Sequence, residues 1–214
     1  MKVGTKSVLF GAHCFFLHPW FVAAAWWKLY GFPWDPRLWI AFFVHDLGYI
    51  GKPNMDGPEG EDHVLLGARV MQILFGWMEK RVDWSHVGVQ MPNGKREWLG
   101  PWAQFSLFHS RFYAKKHGLP FSRLCVADKL AICLTPAWLY LPMVNLTGEV
   151  REYLAMSAAN GNTKYAFMSV DAKSQREWYA NMCTYLRKWV AEHKDLKPDL
   201  WTSTNRHKES EVSI

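Results

Sequence analysis

Apolar positions recur along this chain at three- and four-residue intervals, and the breaks between the apolar stretches carry helix punctuation instead of strand turns. Pro19 suits a first helical turn, the apolar run continues through Tyr30, and Gly31 supplies a stop. Asp35 and Pro36 form an N-cap and first-turn proline for a helix over Arg37 to Leu47, ending near Gly48. Turn formers from Gly51 to Gly60 make a polar loop, followed by an amphipathic helix over Glu61 to Trp77. Residues 79–100 are irregular, and Pro92-Asn93-Gly94 marks a turn of a small hairpin or flap. Pro101 opens a helix to about His117, capped by Gly118, and Ser122 is the N-cap of the next. Pro136 and Pro142 break the apolar run from Leu130 to Leu146. Further helices start at Thr147, which Gly161 ends, and over Asp171 to His193; from Lys194 a mixed-charge tail frays. The expected fold is all-α, one domain over 1–193 and a flexible tail over 194–214.

Within that pattern, six polar residues fall on stripes that otherwise read as core: His18, His45, Asp46, His63, His109 and Asp128. Phe105, Phe108, Phe112 and Tyr113 surround His109 at helical spacing, and Leu124, Cys125, Ala131 and Ile132 surround Asp128. A buried imidazole or carboxylate needs a partner or a metal ion, and convergence on a metal explains all six together. The bland alternatives are a locally hydrogen-bonded His45-Asp46 pair at a helix end, a solvated first-turn His63 beside Glu61 and Asp62, a core-type His109, and Asp128 paired with Arg123 or Lys129.

Composition adds limits. With 214 residues, half of them hydrophobic, the chain can bury one substantial core. A net charge of +6 suits a small anionic ligand but does not by itself argue for nucleic acid. Cys14, Cys125, Cys133 and Cys183 form no metal-type pair and read as reduced thiols of a cytoplasmic protein. Val8 to Trp27 is apolar and Trp-rich, as segments at a bilayer interface are, but His13, His18 and Pro19 lie inside it, so it reads as a buried core helix and not a span. Trp26, Trp27, Trp39, Trp138 and Tyr140 are read as core, and His86, His117, His193 and His207 as surface residues. Leu139 to Leu146 offers an apolar contact for a homo-oligomer.

The stretches HPWFVAAAW, IAFFVHDLGY, EDHVLLGARV, LFHSRFYA and LCVADKLA, spread over residues 10 to 140, resemble the HD-domain superfamily. The resemblance implies a helical bundle in which His18, His45, Asp46 and Asp128 bind one divalent metal, with His63 and His109 binding a second across a bridging Asp46. His63 is alternatively a catalytic histidine beside a single metal. His13 is a rival first ligand; His18 is preferred because Val22-Ala23 after it fits the family's local pattern. Members often carry a lysine soon after the HD pair, where this chain has Tyr49; Lys52, one turn on, is the nearest substitute.

Four imidazoles and two carboxylates suit manganese, iron, cobalt or zinc better than magnesium. Two such ions about 3.5 to 4 Å apart acidify a bridging water for attack on phosphorus. The expected activity is hydrolysis of a small phosphate ester, most plausibly a nucleotide or cyclic nucleotide, with Asp46, His63 and His109 catalytic and Tyr49, Lys52, Arg123 and Lys129 holding substrate. Arg111 is a weaker candidate, because two helical residues after His109 it should face away. Rival expectations are a di-iron oxygenase acting on a small alcohol or phosphonate, and a non-catalytic nucleotide-binding module.

Overall fold

The computed structural model describes residues 1–55, 58–79, 87–91, 93–159 and 174–200. Eleven helices and one short hairpin account for its regular structure among these residues. In order they are α1 (Val3–Phe10), α2 (His18–Tyr30), α3 (Pro36–Val44), a single 3-10 turn (Leu47–Tyr49), α4 (Pro58–Glu61), α5 (Val64–Glu79), β1 (Val87–Gln90), β2 (Arg96–Leu99), α6 (Pro101–Leu107), α7 (Arg111–Lys116), α8 (Arg123–Leu134), α9 (Ala137–Thr147), α10 (Glu149–Ala159) and α11 (Gln175–His193). The fold is therefore mostly helical. The hairpin falls inside the irregular stretch, with Val87 opposite Leu99 and Gln90 opposite Arg96. Pro92, Gly161, the start of the terminal helix at Asp171, His86, His207 and the tail beyond residue 200 lie outside the described residues.

Helix α8 organises the interior because it is apolar around nearly its whole circumference. Leu124, Ala127 and Ala131 pack against Val22, Ala25 and Trp26 of α2, Leu38 and Phe42 of α3, and Met71 of α5. Its other side, with Cys125, Val126 and Cys133, joins a second core built from α6, α9 and α11 and centred on Leu107, Trp178 and Trp189. Asp128 sits between the two cores on this helix, buried to 4% exposure.

Several helices end earlier than the apolar pattern predicts. The run Val8 to Trp27 is not one helix: Gly11 to Leu17 separate α1 from α2. α3 stops at Val44, so His45 is its C-cap. The helix expected from Glu61 is two, α4 and α5, with Asp62 and His63 in the break. The helix expected over Pro101 to His117 is also two, because the Ser110 side chain accepts the Tyr113 N–H and starts α7 afresh. Pro142, conversely, lies inside α9 and does not end it. α8 and α9 meet at 103° across Pro136, and no single helix among the described residues is long and apolar enough to cross a membrane.

Two placements correct the sequence reading. Trp26 and Tyr140 are core, but Trp27 and Trp138 are exposed and Trp39 half-buried, since α2 and α9 are apolar on their outer faces too. His193 is buried, stacked on Trp189 with ring centroids 4.5 Å apart, because it continues the Trp178, Met182, Trp189 stripe of α11. The segment after Lys194 is held as far as Asp199: Tyr30 donates to the Lys194 carbonyl (2.9 Å), and Asp199 lies 3.8 Å from Arg111.

Close backbone approach fixes the turn after α3. A Cβ on Gly48 would stand 1.8 Å from the His63 carbonyl oxygen, a backbone atom that cannot move alone. Gly48→Ala is expected to cost roughly 2 to 4 kcal/mol, read by urea denaturation followed by circular dichroism. A change below about 0.5 kcal/mol, the size of an ordinary surface substitution, would show that this contact does not constrain the fold.

Candidate metal centre

Three of the histidines stand where a helix runs out. The last carbonyls of a helix lack intrahelical partners, and an imidazole placed just beyond can donate Nδ1–H to one of them. His45 Nδ1 bonds the Phe42 carbonyl at 2.9 Å, His63 Nδ1 the Gly60 carbonyl at 2.7 Å, and His109 Nδ1 the Ser106 carbonyl at 2.5 Å. In each case the acceptor is three residues earlier, at the end of α3, α4 and α6. A ring that donates through Nδ1 presents Nε2 as an acceptor, the form in which imidazole binds a metal.

All three Nε2 atoms converge on Asp46, which follows His45 directly. Asp46 Oδ2 lies 3.0 Å from His45 Nε2 and 3.4 Å from His18 Nε2, and His18 Nε2 in turn lies 3.0 Å from Asp128 Oδ1. Asp128 Oδ1 is 3.9 Å from His45 Nε2. The other oxygen, Asp46 Oδ1, lies 3.4 Å from His109 Nε2 and 3.6 Å from His63 Nε2, while those two nitrogens are 3.1 Å apart. The result is two donor groups, His18-His45-Asp46-Asp128 and Asp46-His63-His109, that share one carboxylate and could each hold a metal ion.

The spacing fits such an ion. Ligand atoms about 2.1 Å from one centre sit about 3.0 Å apart in an octahedron and about 3.4 Å apart in a tetrahedron. Most of the separations above fall in or near that interval. The chemistry fits as well. His45 Nε2 and Asp46 Oδ2 are buried and make no hydrogen bond, despite their 3.0 Å separation. The facing nitrogens of His63 and His109 are two lone pairs in contact when both rings are neutral, an arrangement that needs a proton or a metal ion at the junction.

Electrostatics reinforce this. Burial pushes the Asp46 and Asp128 carboxyls upward, but the imidazoles around Asp46, and Lys129 and His18 beside Asp128, outweigh it and hold both well below the ordinary range. Burial likewise works against a charged His45, yet Asp46 and Asp128 raise it to about 10. His63 moves the other way, held well below 6.5 by burial and by His109. Two permanent anions are thus held in a pocket of imidazoles, and the metal-free protein must recruit a proton on His45 to balance them.

Beside the donors lies a cavity of about 110 Å³, whose wall includes His13, Tyr49, Met55, Arg111 and Lys129. Tyr49 stacks flat on His63, centroids 3.9 Å apart and planes 8° apart. Lys129 Nζ reaches Asp128 Oδ2 at 2.8 Å. Lys52 and Arg123, expected to hold substrate, do not reach the wall. The Lys52 carbonyl accepts the Gly4 N–H, packing that residue against α1. Arg123, five residues before Asp128 and well round the helix from it, stacks 5.1 Å over Tyr30. Arg111 does reach it, because the break at Ser110 turns α7 back toward the donors; its guanidinium meets Tyr185 Oη at 3.2 Å and lies over Trp189. A serine directly after His109 was the available signal for that break.

His13 lines the cavity but does not join either donor group. Its Nδ1 is engaged by Ser7 Oγ at 2.9 Å and lies 3.8 Å from Glu149, and burial lowers it to about 4. Glu149 was not foreseen. It is completely buried and accepts from Ala12 N–H, Thr147 and Tyr153, tying the α1–α2 loop to α10.

Comparison with family models, with curated proteins and with solved structures finds no match for this chain. Metal binding itself is therefore the direct test. A metal ligand must be unprotonated, so loading displaces the His45 proton and the apparent affinity for Mn²⁺ or Co²⁺ rises as pH increases from 6 to 9, by roughly tenfold per pH unit for each proton released. Without metal the sign reverses. The His45 pair, raised above 6.5, stabilises the fold most below that pH and loses its effect as pH climbs toward about 10. Calorimetric titrations in buffers of different ionisation enthalpy report the proton count; a pH-independent affinity with no proton release would contradict the arrangement. Asp46→Ala is expected to abolish binding at both positions, whereas His109→Ala lowers the stoichiometry by one ion per chain.

Proposed function

We propose that this protein is a metal-dependent phosphohydrolase of the HD type, acting on a small phosphate ester, with a nucleotide as the leading class. The observation that carries the reading is the shared carboxylate: Asp46 directs one oxygen to His18 and His45 and the other to His63 and His109. That is the arrangement the sequence resemblance implies for a dinuclear centre, with His18, His45, Asp46 and Asp128 as one ligand set and Asp46, His63 and His109 as the other. Ions held there supply Lewis-acid polarisation of a phosphoryl oxygen and a water acidified to act near neutral pH.

The chain's own groups suit the remaining work. Lys129 and Arg111 set two cations in the cavity wall, where they neutralise charge on the oxygens of a bound phosphoryl group. Arg111 is held by Tyr185 and Trp189 and Lys129 by Asp128, so neither must be ordered when substrate arrives. Tyr49 stacks on His63, holding that ring in place, and lines the cavity. The cavity of about 110 Å³ beside the donors supports a compact reacting group such as a phosphoryl.

The same small volume also favours a second reading, a di-iron oxygenase acting on a compact alcohol or phosphonate. Metal-loaded protein, tested anaerobically with Mn²⁺ or Co²⁺ against nucleoside mono-, di- and triphosphates, cyclic nucleotides and an aryl phosphate, is expected to release phosphate or open the cyclic ester. Lys129→Met should lower kcat/KM at least tenfold with metal content retained. No turnover on any ester, together with oxygen uptake by the ferrous protein on a phosphonate or alcohol, would replace hydrolysis by oxidation.

A further inference from the structure

Helix α2 is apolar on both sides, and only one side is used. His18, Val22, Ala25 and Trp26 face the interior. The opposite stripe, Leu17, Trp20, Ala24, Trp27 and Lys28, is open to solvent, with Trp20 56% and Trp27 61% exposed. A helix hydrophobic all round is ordinarily covered by something. The stripe continues into the next loop, where Phe32 packs on Trp27 (5.5 Å between centroids) and on Trp34 (4.5 Å), and Trp34 is 83% exposed. Between the outer face of α2 and the end of α8 runs a groove of about 480 Å³, lined by Phe21, Ala24, Trp27, Lys28 and Leu134.

Lys28 is the one charged side chain of helix α2, and it lines the groove. The first acidic residue of the chain is Asp35, and it is bound to Arg37 at 2.6 Å. Residues 1–34 carry Lys2, Lys6 and Lys28 and no carboxylate side chain. The only acidic residue on α2, α8 or α9 is Asp128, which is buried at the donor cluster. Asp195, near Tyr30 at the far end of α2, is flanked by Lys194 and Lys197.

We propose that the outer face of α2, with the Phe32–Trp34 loop, docks on an anionic lipid surface, an acyl chain entering the groove beside Lys28. Tryptophan rings concentrate at the bilayer interface, where an apolar body and a polar N–H are both satisfied. Lys28 on the same face is drawn to anionic headgroups and reaches them by extending its stem. A second copy of the chain is the weaker occupant, because a two-fold contact places a patch against itself and the exposed stripe of α2 offers Lys28 no carboxylate to pair with. The contact is peripheral, requires no spanning helix, and lies on the side of α2 away from His18.

The test is co-sedimentation of the full-length protein with sucrose-loaded vesicles of phosphatidylglycerol and phosphatidylcholine, or of phosphatidylcholine alone. Binding to the anionic vesicles is expected to be at least tenfold tighter. The exposed triple variant Trp20→Gln, Trp27→Gln, Trp34→Gln should lose it at least tenfold while keeping its helical circular dichroism and its metal stoichiometry. Equal binding to neutral vesicles, or undiminished binding by the folded triple variant, overturns the proposal. So does absence of vesicle binding, whether the protein is a monomer or a dimer that the triple variant dissociates; the latter assigns the stripe to a second copy.

Discussion

The donor cluster depends on one recurrent hydrogen bond, from a histidine Nδ1 to the carbonyl three residues before it at the end of a helix. His45, His63 and His109 all make it. The bond gives a helix-end carbonyl a side-chain donor, selects the tautomer and aims Nε2 outward, so one interaction serves the backbone and the site together. Helix termination is therefore part of the chemistry. If α3, α4 or α6 ran on for another turn, those carbonyls would be consumed within the helix and the rings would lose their orientation.

Packing supplies the precision that the hydrogen bonds alone lack. α8 lies between two apolar cores and carries the buried Asp128 to the other donors. Gly48 lets the turn after the HD pair approach the His63 backbone, and Gly67 lets α5 pass close to the backbone of His45 and the Ser106 side chain. The buried Glu149 anchors the loop before α2, and Glu79 accepts the Trp102 N–H at the start of α6. The polar atoms of the site thus face one another across a frame that burial has already made rigid.

Much of this was legible in the sequence because burial of polar residues leaves a local mark. His18, His45, Asp46, His63, His109 and Asp128 stand among apolar neighbours, and the structure brings all six together. Periodicity placed most helices but overran their ends, since a cap such as Ser110 changes the backbone without interrupting the apolar pattern. That is why Arg111 reads as the weaker candidate from helical geometry that does not hold across the break. Lys52 and Arg123 show the converse limit: nearness in sequence to a ligand does not fix direction, and each is drawn elsewhere by α1 or by Tyr30. Glu149 left no mark, because the loop it anchors, through the Ala12 N–H, lies 137 positions away in the chain. The outer face of α2 was hidden for another reason: apolar residues read as core whichever way they point.

The most direct test is anomalous diffraction from crystals soaked with manganese or cobalt at high pH. Two peaks are expected on either side of the Asp46 carboxylate, one contacted by His18, His45 and Asp128 and the other by His63 and His109. Metal bound elsewhere, or a fully ordered cluster that stays metal-free under saturating conditions with the six side chains paired only to each other, would contradict the shared-carboxylate centre.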